Sequence, residues 1–339
     1  MAERTTRRRS AGNAGTGNDR LDTERFKELF NRLTGNVNTV IHGKEDVVRL
    51  AVVALCSGGH VLFEDVPGVG KSMLARALSM SMNARTSRIQ CTPDMLPGDI
   101  TGSAVIDTAT MEFTFHEGPV FTNILLVDEV NRATPKTQSA LLESMAERNV
   151  TVDGVSHPLP EPFIVLATQN PIEQAGTFPL PEAQLDRFLF KLSVGFPDAE
   201  AERKVMRGNL AGLEVETTKP VCDTEDVLWM TKVSTQVQMT EQVESYVIEI
   251  VQATRHDPAL LMSASPRASI AMARASRALA AADGRDKVYP EDVKALLQPI
   301  LAHRLLLTPD AQLRGETVDD VLERIISKAR PPLGVKDVA

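Results

Sequence analysis

Residues 61–72 read Val-Leu-Phe-Glu-Asp-Val-Pro-Gly-Val-Gly-Lys-Ser, and an amphipathic stretch follows directly. An apolar run, a turn rich in glycine and proline, and a helix start, in that order, leave the chain few options. The layout wraps phosphate groups: backbone N–H groups freed by Gly68 and Gly70 point at phosphate oxygens, and the helix N-terminus adds partial positive charge. Lys71 then pairs with β- and γ-phosphates, and the Ser72 hydroxyl sits on Mg²⁺. Pro67, Gly68, Val69, Gly70, Lys71, Ser72 and Met73 form the candidate nucleotide-binding set. The pattern G-x-x-x-x-G-K-[ST] has one departure, because Asp65 stands where the first glycine belongs. Pro67-Gly68 still supplies a tight turn. The plain alternative is a Gly-Pro turn that happens to precede a Lys-Ser helix, and the strand and helix on either side argue against it.

The rest of the chain is organised around that unit. From about residue 22 to 198, short apolar runs at 61–64, 88–91, 124–127, 163–167 and 188–194 alternate with helical patterns. Such alternation predicts an α/β fold, a parallel sheet with helices on both faces. The helix after the glycine-rich turn buries Met73, Leu74, Ala77 and Leu78 on one face. Another opens at Thr134-Pro135, a cap followed by proline at the first helical position, and buries Leu141, Leu142 and Met145. Beyond Phe196-Pro197 the strand signals stop. Val243, Tyr246, Val247, Ile250 and Val251 form one helical stripe; Val293, Leu296, Leu297, Ile300 and Leu301 form another; Ser265-Pro266 opens an alanine-rich third. The expected organisation is a disordered basic tail over 1–20, an α/β domain over 21–197, an all-α domain over 198–330 and a tail over 331–339. Two insertions interrupt the α/β part. Around 100–121, Met111, Phe113 and Phe115 alternate as in a hairpin; around 150–160, Asp153-Gly154 is a two-residue turn signal.

Three further segments carry chemistry. Ile124-Leu125-Leu126-Val127-Asp128-Glu129 is a buried strand that emits two carboxylates at its C-terminal end, where ligands bind in open α/β sheets. Asp128 is placed to hold Mg²⁺ through water and Glu129 to polarise the attacking water as general base. The run 163–168 ends at Gln169-Asn170, and the Asn170 amide, both donor and acceptor, can orient that water; a turn-forming asparagine before Pro171 is the competing role. Arg187 can supply positive charge to a transferring phosphoryl group, an effect worth ~10³–10⁵ in rate, against a surface ion pair with Asp186. Arg267, in the first turn of a helix of the second domain, can report a γ-phosphate to that domain, against a solvated arginine.

Bulk properties exclude other classes. At 339 residues, with 42% hydrophobic and 24% charged residues, the chain is neither disordered nor membranous. No apolar run approaches the ~18–20 residues of a transmembrane helix, and the polar start lacks the apolar core of a secretory signal. Cys56, Cys91 and Cys222 are far apart and mostly in apolar settings, which predicts reduced thiols and a cytoplasmic protein. A net charge of −8 argues against sequence-blind nucleic-acid binding. The six histidines are scattered with no metal-ligand spacing, and no nucleophile elbow or Cys/His pair presents itself.

Taken together, the chain resembles the AAA+ ATPases and, within them, the MoxR family. The resemblance is carried by VLFEDVPGVGKS, RIQCTPDMLPGDITGS, LLVDEVNRATPKTQSALLESMAE, ATQNPIEQAGTFPLPEAQLDRFLFK and SPRAS. It implies a P-loop core with a helical lid, ATP and Mg²⁺ as ligands, and a homo-hexameric ring with nucleotide between subunits. Asn170 then falls at the sensor-1 position, Arg187 at the arginine finger acting on a neighbour's ATP, and Arg267 at sensor 2. Ile41 and Gly43 fall in the stretch that lines the adenine pocket, and the two insertions match hairpins facing the ring's pore. Arg132 is a further candidate to reach across the interface. The implied function is that of an ATP-hydrolysing, chaperone-like activator or remodeller of partner proteins, often ones carrying von Willebrand factor A domains or awaiting a metal or cofactor. The alternatives are a nucleic-acid motor of the helicase or loader type and a nucleotide-gated scaffold without turnover.

Overall fold

The computed structural model describes residues 21–65, 68–106, 108, 111–170, 176–210 and 218–332. Two helices, α1 (Thr23–Asn38) and α2 (Glu45–Cys56), lead into β1 (Val61–Glu64), α3 (Lys71–Ser81) and β2 (Thr86–Gln90). Then come α4 (Pro97–Thr101), the hairpin β3 (Gly102–Ile106) and β4 (Phe113–Glu117), and β5 (Ile124–Asp128). Helix α5 (Pro135–Glu147), the hairpin β6 (Asn149–Val152) and β7 (Val155–Pro158), β8 (Ile164–Gln169), α6 (Glu182–Leu185) and β9 (Phe190–Leu192) follow.

The five central strands lie in the order β2-β5-β8-β1-β9, every pair parallel. Every residue of β5 is buried, as expected for a strand covered on both faces. Alternation within the strands divides the core. Val61, Phe63, Ile124, Leu126, Ile164 and Leu166 face one layer with α1 to α3; Leu62, Leu125, Val127, Val165 and Ala167 face the other with α5. Register sets Gln90 opposite Asp128 and Glu64 opposite Gln169, so the C-terminal ends of β1, β2, β5 and β8 lie side by side.

After α7 (Ala199–Leu210) come α8 (Thr224–Gln236), α9 (Glu241–His256), β10 (Leu260–Met262), α10 (Pro266–Ala282), α11 (Pro290–Leu301), β11 (Leu306–Leu307), α12 (Pro309–Leu313) and α13 (Val318–Lys328). Several of these helices start where a side chain caps them: the Asp223 carboxylate accepts from Asp226 N and the Ser265 hydroxyl from Arg267 N. The architecture is the expected α/β core with a helical C-terminal lid, and the lid also carries a two-stranded antiparallel pair, β10 with β11. Buried lid residues such as Val227, Met230, Ala275 and Leu296 share the core of α1 and α2. The lid is therefore packed on one face of the α/β part by a continuous apolar layer. No helix among the described residues is long and apolar enough to cross a membrane.

Candidate functional site

Strand β1 runs into the glycine-rich loop, and α3 begins at Lys71. Gly68 (φ +86°) and Gly70 (φ +94°) both take the left-handed conformation that other residues avoid, and a Cβ at either would meet nothing within 4 Å. The requirement for glycine is thus conformational, and the open space beside the backbone is where a phosphate fits. Pro67 lies outside the described residues.

Asp65 has a structural task of its own. Its Oδ1 accepts from Ser193 Oγ at 2.9 Å and Gly195 N at 3.1 Å, and its Oδ2 accepts from Val194 N at 2.5 Å. The residue that breaks the glycine pattern therefore ties the end of β1 to the exit of β9. Its backbone carbonyl meets the loop lysine: Lys71 Nζ donates to Asp65 O at 3.2 Å. Burial pushes the Lys71 pKa below its ordinary value, opposed by the nearby Asp65, Asp128 and Glu129.

The two acids at the end of β5 are both engaged. Arg88 Nε, from β2, donates to Asp128 Oδ2 at 2.8 Å, and Thr168 Oγ1, from β8, donates to Asp128 Oδ1 at 3.3 Å. Glu129 has φ +54°, a strained conformation for a residue with a side chain. Its N–H donates to Thr168 Oγ1 at 2.9 Å, and its Oε2 accepts from Arg132 Nη1 at 3.1 Å. Thr168 thus links both acids to the neighbouring strand. Arg132 meets the Glu129 of its own chain.

Gly68, Gly70, Lys71, Ser72, Met73, Asp128, Glu129 and Asn170 line one cavity of about 320 Å³, together with Asp65, Arg88, Gln90 and Thr168. The oxygen donors of Ser72 and Asp128 suit a hard cation such as Mg²⁺, and the open glycines and Lys71 suit a polyphosphate. Three of the described nucleotide-binding candidates are not in its walls. Val69 and Ile41 pack against the hydrophobic core, and Gly43 (φ +70°) abuts Ala201. Arg88, Gln90 and Thr168 escaped the sequence reading. Their signal is period two: Arg88 and Gln90 are alternate polar residues of a strand ending beside the acids.

Arg187 and Arg267 are brought together elsewhere, in a cavity of about 400 Å³ between the α/β part and α10. Arg187 Nη1 donates to Leu142 O at 2.9 Å, and Arg267 is exposed. Asp186 does not pair with Arg187. Its Oδ1 accepts from the buried Arg304 Nε at 2.7 Å, and its Oδ2 accepts from Ser265 Oγ at 2.7 Å. Asp186 therefore joins the α/β part to the start of α10 and to the end of α11.

Residues 60–190 match the family described as ATPase family associated with various cellular activities (AAA), and residues 252–325 match the AAA lid domain. The chain is 44% identical over 310 residues to the uncharacterized protein YeaC of Bacillus subtilis (strain 168), covering 91% of this chain and 97% of that one. It is 41% identical over 305 residues to Chaperone MoxR1 of Mycobacterium tuberculosis, covering 87% and 80% respectively. A crystal structure of a protein from Cytophaga hutchinsonii superposes with a TM-score of 0.85 at 36% identity, covering 91% of this chain and 97% of that one.

Proposed function

The chain belongs to the MoxR family of AAA+ ATPases, and on that premise we propose that it is an Mg²⁺-dependent ATP-driven remodeller of partner proteins, working as a cytoplasmic homo-oligomeric ring. The observation that carries this reading is the convergence of Gly68, Gly70, Lys71, Ser72, Asp128, Glu129 and Asn170 on one cavity. In it the loop N–H groups and Lys71 bind the β- and γ-phosphates of ATP. Ser72 and Asp128 would hold Mg²⁺, which supplies charge neutralisation at the phosphates. Glu129 draws a proton from the attacking water; Thr168 anchors its backbone N–H and the Asp128 carboxylate, and Arg132 holds the Glu129 carboxylate. Asn170, at the tip of β8, orients the water.

Completion by a second protomer is supported by the separation of charges. Arg187 and Arg267 share a cavity that contains none of the phosphate-loop residues, so both act on a nucleotide held by a neighbour. Arg187 then stabilises charge on the transferring phosphoryl group. A site built this way turns over slowly until the ring forms, which couples hydrolysis to assembly. The six-membered ring and the adenine contacts of Ile41 and Gly43 belong to the same reading. Two things support partner remodelling: the relative named Chaperone MoxR1, and the exposed Met111 and Phe113 at the β3–β4 hairpin, 71% and 75% accessible, which offer apolar contact to a client. Partners with von Willebrand factor A domains are the class the family resemblance names.

The test is the ATPase rate as a function of protein concentration, for wild type and Glu129→Gln. The rate per protomer should rise with concentration, and Glu129→Gln should lower it about 10²–10⁴-fold while nucleotide still binds. A rate indifferent to both concentration and substitution overturns the proposal.

A further inference from the structure

The cavity shared by Arg187 and Arg267 is lined by five arginines and two acids, on a chain of net charge −8. Which arginines are already committed decides what it can take. Arg304 is buried and saturated, donating to the Asp186 carboxylate and to the carbonyls of Asp186, Phe188, Leu189 and Ile300. Arg148 donates to Gly58 O at 3.0 Å and lies 3.7 Å from Glu161. Arg187 has a single carbonyl acceptor, Leu142 O. Arg274 is exposed and, among the described residues, has neither an ion pair nor a side-chain hydrogen bond; the Arg267 guanidinium is in the same position. Arg267 and Arg274 lie seven residues apart on α10, two turns and about 10 Å along one face of the helix, with Ile270 and Ala271 lining the cavity between them.

The nucleotide cavity has the opposite character. Arg88 is bonded to Asp128 and Arg132 to Glu129, so both guanidiniums beside the acids are already committed. One cavity has a phosphate cradle and few available cations. The other has cations in excess and no cradle.

We propose that Arg274 is a third guanidinium, beside Arg187 and Arg267, that binds the polyphosphate of a nucleoside triphosphate held in the phosphate loop of a second copy of this chain. This rests on the reading above of a site completed between protomers. The planar guanidinium fork, permanently charged, matches phosphate oxygens in pairs, which Lys does not reproduce. Arg148 and Arg304 are excluded from the role by the acceptors they already hold.

The experiment uses the full chain. In assembled rings of the Glu129→Gln protein, a fluorescent ATP analogue with Mg²⁺ should bind about tenfold more weakly when Arg274→Gln is added, the value of one charge-assisted bond. Arg274→Lys should recover part of the loss. At dilutions where the protein is monomeric, the affinities with and without Arg274→Gln should coincide. Mixing the single variants Arg274→Gln and Glu129→Gln should give ATPase activity several-fold above the sum of the separate activities, because some interfaces then combine an intact Glu129 with an intact Arg274. Equal affinities in assembled rings, an equal loss in the monomer, or a mixture no better than its parts overturns the role of Arg274. So does a matching loss of self-association without nucleotide, measured by sedimentation, which identifies an ion pair with a neighbour's acid. A wild-type protein that binds no Mg-ATP at any concentration overturns the shared-site reading itself; a competent wild type with an indifferent Arg274 variant overturns this inference alone.

Discussion

The nucleotide cavity lies at the C-terminal ends of the strands and the arginine cavity beside the residues that precede β1 and β9, and they hold their charges in opposite ways. At the end of β5, both carboxylates are paired within the chain, Asp128 with Arg88 and Glu129 with Arg132. Around Arg187 and Arg267 only the structural arginines are paired, and the rest of the positive charge stands open. The first cavity is nearly neutral before ligand arrives and is organised for geometry. The second is organised for electrostatic attraction and has no means of holding a nucleotide by itself. On the proposed reading of a site completed between protomers, a division of this kind makes catalysis conditional on the two meeting.

The sharpest way to break that comparison is Arg187→Ala. If the arginine cavity serves a neighbour's phosphates, kcat should fall ~10³-fold or more while nucleotide affinity at high dilution stays near wild type. Arg187→Lys should restore little, because the backbone acceptor Leu142 O and a phosphate need the forked head together. Single-turnover hydrolysis at two protein concentrations checks this; a loss confined to affinity at high dilution would place Arg187 on its own chain's nucleotide.

Next in size is the scaffold of the arginine cavity. Arg304 and Asp186 have side chains 3% and 15% exposed, and burial pulls the Arg304 pKa down while Asp186 opposes it. Arg304→Ala leaves Asp186 with an uncompensated charge and several carbonyls without donors, at a cost of about 3–5 kcal/mol. Urea unfolding should show this loss. The nucleotide cavity shares none of these residues, so nucleotide affinity of the remaining folded protein should change less than about threefold.

How much of this was legible in the sequence differs between the two cavities. The phosphate loop, the acids and Asn170 lie at the ends of strands that announce themselves by apolar runs; 61–64 and 124–127 agree with β1 and β5 to within one residue. Motif spacing alone places them, because each follows its strand directly. Arg88 was passed over because its role needs β2 and β5 in register, a pairing across 40 residues that no local pattern encodes. The same holds for Asp186. Adjacent to Arg187, it offers the alternative of an ion pair with that residue, yet successive side chains diverge, and its partner is Arg304, 118 residues on. Asp65 read as a defect in a motif, whereas its carboxylate serves residues 193–195. Long-range polar contacts are set by the fold, and the chain shows them only once it is closed.

Asp65 also sharpens the comparison. Asp65→Gly restores the glycine pattern but removes three hydrogen bonds to a carboxylate, a loss of about 2–3 kcal/mol after allowance for non-additivity. Since Lys71 donates to the Asp65 carbonyl, which glycine keeps, affinity for Mg-ATP should stay within about threefold. Thermal melts and a nucleotide titration separate the two effects. A variant that binds nucleotide much more tightly at unchanged stability would mean that Asp65 is a brake on the loop rather than a tie to β9.

The smallest effect concerns His60, on the wall of the arginine cavity. Its Nδ1 accepts from Val165 N at 3.0 Å, so the proton of the neutral ring sits on Nε2, which donates to Met145 O at 3.1 Å. Burial lowers its pKa to about 4, opposed by the Met145 bond and reinforced by repulsion from Arg148. A histidine with a depressed folded pKa contributes stability that is complete above its unfolded pKa of about 6.5 and is lost as pH falls toward 4, since the unfolded chain takes up the proton first. Between pH 8 and pH 5.5 the loss from His60 should be about 1.4 kcal/mol, with His303, also depressed by burial, adding in the same direction. His60→Asn keeps an acceptor for Val165 N–H and cannot titrate in this range. It should be less stable at pH 8 but lose less on acidification, leaving the share of His303. If its denaturant midpoint falls between pH 8 and 5.5 as steeply as that of wild type, the acid sensitivity lies in other groups, and the arginine cavity does not hold its histidine neutral against an added charge.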